Sequence, residues 1–217
     1  MKTSSKFLIT LLSALTMLSM AFTSAPVTSL VPVTGNFNNL AVVNTTIHPA
    51  TSQSLDTFVA SVKNGNSSQL TGVYVAGSFG FPVVQQPSGS PAYVSTTSNT
   101  LTQFGMASQY GSVGILAHNF LAGQYFSSFS SGKVITLVFG NGSTKNYTVS
   151  AVKQFQALNP ESAYSQFVDL SNPSKKISST DLFLQTFGLS GALVMQTCIS
   201  KNGNSSWGRL FVVAYPS

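Results

Sequence analysis

From Thr71 onward, apolar and polar positions alternate over short runs: VYVAG (73–77), FPVVQQ (81–86), AYVS (92–95), VGILAH (113–118), KVITLVF (133–139) and KNYTVSAVKQF (145–155). Runs of this length, rich in Val, Ile, Tyr and Phe and bounded by Gly, Asn, Pro and Ser, predict β-strands. Gly140-Asn141-Gly142 is a tight-turn signal and predicts a hairpin between the last two. A further pair of apolar runs lies in LVMQTCISKNGNSSWGRLFVVA (193–214), split by a polar loop holding Gly203, Asn204, Ser205 and Ser206. There a cysteine ends one strand and an arginine opens the next. Leu101 to Tyr110 and Asp181 to Phe187 read as short helices, the second capped by Thr180. Another helix is expected over Ser54 to Lys63, where Ser54 can cap and Leu55, Phe58, Val59 and Val62 share a face. Many short strands at such intervals predict an all-β body, a sheet closed into a barrel or folded as a sandwich.

The first 70 residues follow other patterns. Lys2 and Lys6 precede an uncharged run from Phe7 to Phe22, the layout of a secretory signal. Small residues at Ser19 and Ala21 favour cleavage after Ala21, so residues 1–21 are assigned as a signal peptide. The run falls short of the roughly 20 residues that span a bilayer, which makes an uncleaved anchor the alternative. Residues 22–70 are rich in Ser, Thr and Asn and read as a linker carrying the short helix. Residues 71–217 form the expected folded domain. His48, beside Pro49 in the linker, reads as an exposed loop histidine.

Composition narrows the function. Charged residues make up 6% of the 217, and the four acids are Asp56, Glu161, Asp169 and Asp181. A surface built from Ser, Thr, Asn and Gln suits an extracytoplasmic protein. The formal charge of +6 falls to +4 once Lys2 and Lys6 are set aside, eight cations against four acids. The remaining lysines are scattered, without the basic stripe that nucleic-acid binding needs. Five Asn-x-Ser/Thr sequons, at Asn44, Asn66, Asn141, Asn146 and Asn204, are a number that such a composition produces by chance.

Cys198 is the only cysteine and Arg209 the only arginine. No intrachain disulfide is possible, so the thiol is either buried filler or reactive. A nucleophilic cysteine needs a group that helps form its thiolate and a donor for the oxyanion of acyl transfer. His118, at the end of its predicted strand, is the candidate for the first. Arg209, a planar fork used once where lysine supplies every other positive charge, is the candidate for the second. Other chemistries lack their parts: there is no Gly-x-Ser-x-Gly elbow, no metal-ligand spacing of His, Cys and acids, and no phosphate loop. No cofactor and no metal are expected.

The order strand-His, β-rich interval, strand-Thr-Cys, loop, strand-Arg resembles the sortase family of cysteine transpeptidases. VMQTC (194–198) stands where that family has T-L-x-T-C, with Thr197 and Cys198 matching and Val194 and Met195 departing. GILAHN (114–119) is similar to the family's histidine segment. FSSFSSGKVITLVFGNGSTKNYTV (126–149) resembles its Gly-Asp-x-Ile hairpin with Lys133 in place of Asp, and WGRLFVVA (207–214) resembles its arginine strand. The likeness runs from about Gly72 to Ala214. It implies a closed sortase-type eight-stranded β-barrel with one to three short helices. It also implies a catalytic set of His118, Cys198 and Arg209, with Thr197 lining the substrate site. The implied substrates are a peptide sorting signal of an exported protein and an amine acceptor, and the N-terminus would serve as a membrane tether if it is not cleaved. The low acid count argues against calcium regulation. The competing reading is a non-catalytic exported β-domain, a binding or cell-surface module in which Cys198 is packing.

Overall fold

The computed structural model describes residues 53–217 apart from Ala163. The assigned signal peptide, most of the linker, His48 and the Asn44 sequon lie outside the described residues. Ten strands form one sheet: β1 (Leu70–Val75), β2 (Phe79–Gln85), β3 (Leu101–Phe104), β4 (Val113–Leu116), β5 (Val134–Phe139), β6 (Thr144–Ala157), β7 (Phe167–Asp169), β8 (Asn172–Ile177), β9 (Leu193–Lys201) and β10 (Asn204–Pro216). Their order is β10-β9-β4-β3-β2-β1-β5-β6-β7-β8, and a further pairing of β10 with β6 closes the first eight into a barrel. The barrel alternative is therefore the one realised. Strand β6 is long enough to serve both purposes. Along one edge it pairs first with β5 and then with β7, while its other edge pairs with β10 from Tyr147 to Gln156.

Alternation along the strands builds two cores. Inward residues such as Leu193, Met195, Leu210 and Val212 join Val73, Phe79, Phe81, Ile135 and Leu137 inside the barrel. Outward residues Val194, Phe211 and Val213 instead join Phe155, Phe167, Leu182, Phe183 and Phe187. That second core is roofed by helix α2 (Ser179–Leu184). Helix α1 (Leu55–Val62) is capped by Ser54, whose Oγ accepts from the Thr57 N–H at 3.2 Å, as the sequence predicts. Its Phe58 is buried against β1 and β2, and the ring lies so close to Gly72 and Gly80 that a Cβ at either would collide with it.

Several expectations need correction. AYVS (92–95) forms no strand; it crosses the surface as a loop in which the Ser95 N–H bonds to Thr102 Oγ1. Leu101 to Tyr110 is not one helix: Leu101–Phe104 is strand β3, paired in parallel with β2, and only Gly105–Tyr110 coils, as a 3-10 helix. A second 3-10 helix, Ala122–Ser128, follows β4. The cap of α2 is Ser178, two residues ahead of Thr180; its hydroxyl accepts from the Asp181 N–H. The loop expected at 203–206 is a two-residue turn, Asn202-Gly203, both at positive φ, and β10 already begins at Asn204.

Candidate active site

Register brings the three singled-out residues into one row. Strands β9 and β10 are antiparallel with Cys198 directly opposite Arg209. Strands β4 and β9 are parallel, with Leu116 beside Gln196, and the ladder continues as the Ala117 N–H donates to the Gln196 carbonyl. Two residues further along the same register, His118 stands level with Cys198. Val194 and Phe211 belong to the outer core, so by the period of two Cys198 and Arg209 face outward, while His118 lies two residues beyond the end of β4. Adjacent strands lie about 4.8 Å apart. Thiol and guanidinium thus sit on adjacent strands at one end of the barrel, and the imidazole follows in the segment that leaves β4.

Their surroundings differ. Cys198 is 5% exposed and Arg209 2%, whereas His118 is half-buried. Burial pushes the Cys198 thiol above its ordinary 9.0, and that effect outweighs the Arg209 charge and a hydrogen bond from Ser206, both of which favour thiolate. Burial likewise holds His118 below its ordinary 6.5, opposed by the Val94 carbonyl within hydrogen-bonding reach of the ring. Neither influence on His118 is a carboxylate. The resting pair at neutral pH is therefore a neutral thiol and a neutral imidazole. Phe120 stacks on the imidazole with ring centres 5.1 Å apart.

Arg209 is held by its own strand. Nη1 donates to the carbonyls of Ser206 at 2.9 Å and Gly208 at 3.0 Å, and the guanidinium carbon sits 6.0 Å from the centre of the Phe167 ring. Its Nε is buried without a hydrogen-bond partner. An unpaired buried donor costs about 1–3 kcal/mol, so this orientation is one that a bound acceptor would stabilise.

Thr197 faces the other way. It lies on the inner side of β9, 2% exposed, and its hydroxyl donates to the Ala117 carbonyl at 2.9 Å. That bond ties β9 to β4 immediately before Cys198 and His118. Thr197 nevertheless helps to wall a cavity of about 360 Å3, with Cys198, Leu210, Asn119, Gln124 and Ser127 but without His118 or Arg209. Leu210 belongs to the barrel interior, so this cavity opens at the mouth of the barrel, and Cys198 borders it.

Two polar residues near the thiol were missed by sequence reasoning. Ser206 is one of many serines in a polar stretch, and only its burial beside the sulfur distinguishes it. Gln196, 5% exposed and one outward step before Cys198, could have been found: it interrupts an apolar strand. Among the described residues no group of three or more His, Cys, Asp or Glu could hold a metal ion. No helix among them is long and apolar enough to cross a membrane.

No protein-family model and no curated protein matches this chain. Solved structures do, and those matched include sortases of the A and C types. Sortase A from Corynebacterium diphtheriae is 14% identical over 68% of this chain and 60% of its own, with a TM-score of 0.42. The chain thus spans 60% of the length of that enzyme. Sortase C-1 from Actinomyces oris is 13% identical over 74% of this chain and 78% of its own, with a TM-score of 0.45. Clostridium perfringens sortase C, solved with the C-terminal cell wall sorting motif, is 13% identical over 71% and 74%, with a TM-score of 0.40. The barrel itself is established by the strand pairing described above.

Proposed function

We propose that this chain is an exported sortase-like cysteine transpeptidase that cleaves a peptide sorting signal through a thioacyl-enzyme and passes the acyl group to an amine or to water. The observation that carries the reading is the pairing of Cys198 with Arg209 on β9 and β10, with His118 two residues past the end of β4, the strand beside β9. When a peptide carbonyl is bound, His118 takes the Cys198 proton as the sulfur attacks the carbonyl carbon. The oxyanion forms beside Arg209, whose buried Nε is a donor without a partner. The tetrahedral intermediate collapses, the C–N bond breaks, and His118 returns the proton to the departing amine. An incoming amine gives up a proton to His118 as it attacks the thioester, the C–S bond breaks, and the departing sulfur takes that proton back from His118 to restore the thiol. Thr197 serves this chemistry by holding β4 to β9.

The test uses a pooled peptide library with hydroxylamine as acceptor. The wild type should yield peptide hydroxamates and a mass adduct on Cys198, and Cys198→Ala and His118→Ala should yield neither while keeping the barrel's circular dichroism. Hydroxamate production by folded Cys198→Ala would sink the proposal. One observation favours the second reading, an exported binding module: the thiol is 5% exposed and its ionisation is disfavoured by burial. On that reading native Cys198 resists iodoacetamide at every pH at which the fold persists.

A further inference from the structure

The hairpin that carries the thiol and the guanidinium is not regular. Asn204 pairs with Lys201, but Gly208 pairs with Ile199, so β10 spends four residues where β9 spends two. The two extra residues make a bulge, a device found where a strand must re-aim a side chain. Its consequence for Arg209 is direct. Had the register at the turn run on unbroken, Arg209 would face Gln196, and Trp207 would face Cys198. The bulge shifts the pairing by one same-face step and brings the guanidinium level with the sulfur.

Ser206 lies inside this bulge, 2% exposed. Its N–H donates to Asn204 Oδ1 at 2.8 Å, and its carbonyl accepts from Arg209 Nη1 at 2.9 Å. Its hydroxyl is hydrogen-bonded to the Cys198 thiol. The neighbouring Ser205 carbonyl accepts from Asn119 Nδ2 at 3.0 Å, which fastens the bulge to the residue after His118. The other charged group of the hairpin, Lys201, lies over the Trp207 ring at 4.6 Å. The charged group brought alongside the sulfur is therefore Arg209 from β10, and the nearest titratable group in the neighbouring segment is His118, two residues past β4.

We infer that Ser206 is a positioning residue of this site: its hydroxyl orients the Cys198 sulfur, and its carbonyl engages one nitrogen of Arg209 so that Nε is left for the substrate's acyl oxygen. The inference rests on the transpeptidase reading for what Nε binds, but its effect on the thiol can be measured without any peptide. A hydrogen bond to a charged group is worth more than one between neutral partners, so the hydroxyl stabilises the thiolate over the thiol.

The experiment measures iodoacetamide alkylation of Cys198 against pH in the full chain. The variants are Ser206→Ala and the isosteric pair Ser206→Thr and Ser206→Val, each checked by thermal melting. Loss of the hydroxyl in Ala and Val should move the apparent thiol pKa upward and slow alkylation at pH 7 by about tenfold. Thr, which keeps the hydroxyl, should stay close to the wild type; the Thr/Val contrast decides the matter even if the alanine variant does not fold. Identical pH profiles for Thr and Val, with a reactive wild type, would overturn the role of Ser206 and leave the transpeptidase reading standing. A thiol inert in the wild type and in every variant would remove both.

Discussion

The hairpins β5–β6 and β9–β10 both turn on glycine, and only the second carries the candidate site. In β5–β6 the pairing runs from Val138 opposite Thr144 to Val134 opposite Thr148 without a slip. Its polar side chains bond to each other, as Thr136 does to Asn146 at 2.9 Å, and its Ile135 and Leu137 fill the barrel. In β9–β10 the ladder breaks for two residues. Polar groups that a regular ladder would consume are turned instead toward Cys198 and Arg209. Regular pairing makes wall; a local failure of pairing makes a site.

Several measurements would break or sharpen this contrast. The largest effect is expected from Arg209→Ala, which removes the unpaired donor: peptide turnover should fall by about 10²–10³-fold, the usual cost of losing one oxyanion donor. Arg209→Lys should recover little, because a single ammonium nitrogen held at the Ser206 and Gly208 carbonyls cannot also place a donor at the separate position of Nε. Turnover restored by lysine would show that charge alone suffices and that the fork geometry is idle.

Next in size, deletion of Ser205 and Ser206 should make β9–β10 as regular as β5–β6. The barrel registers from Val212 onward should hold, and the thiol should react about tenfold more slowly at pH 7. An unchanged alkylation rate in that folded variant would reduce the bulge to a surface irregularity.

The pH dependence of kcat/KM provides a third check. Cys198 must lose a proton and His118 must carry one, yet burial favours the opposite forms. The profile should be bell-shaped, with an acid limb below the ordinary 6.5 of His118 and an alkaline limb above the ordinary 9.0 of Cys198. Across the plateau only a minor fraction is the ion pair. Limbs lying inside that window, with histidine raised and cysteine lowered, would mean a preformed ion pair and would contradict the burial argument.

The smallest effects concern the turns. Gly203→Ala and Gly142→Ala, at φ +78° and +90°, should each cost about 1 kcal/mol of stability. Only the first should also alter the alkylation rate. Equal effects of both on the thiol would say that stability, not hairpin geometry, governs reactivity.

The hairpins and α1 were legible because their signals are local: an Asn-Gly or Gly-Asn-Gly turn, or a serine three residues before the N–H that it caps. Strands β7 and β8 were not, since β7 is three residues long and β8 is almost entirely exposed; its sequence, NPSKKI, has no apolar alternation to read. Leu101–Phe104 was misread because its apolar ends fit a helix as well as a strand, and only the parallel pairing with β2 decides between them. In the site, the nearness of Cys198 and Arg209 follows from one hairpin and could be read. The burial of both, the inward turn of Thr197 and the part played by Ser206 depend on the bulge and on the roof over the outer core, which leave no mark on the chain.

The parallel pairing of β4 with β9 carries a consequence for how the molecule matures. Thr197 and Ala117 are 80 positions apart, so their contact must close a long loop, whereas the β9–β10 hairpin can form on its own within microseconds. The sulfur and guanidinium are thus neighbours early in folding, and the imidazole arrives late. During refolding, fluorescence from Trp207 on the hairpin should recover before turnover does, so that the base reaches the nucleophile only as the wall is completed.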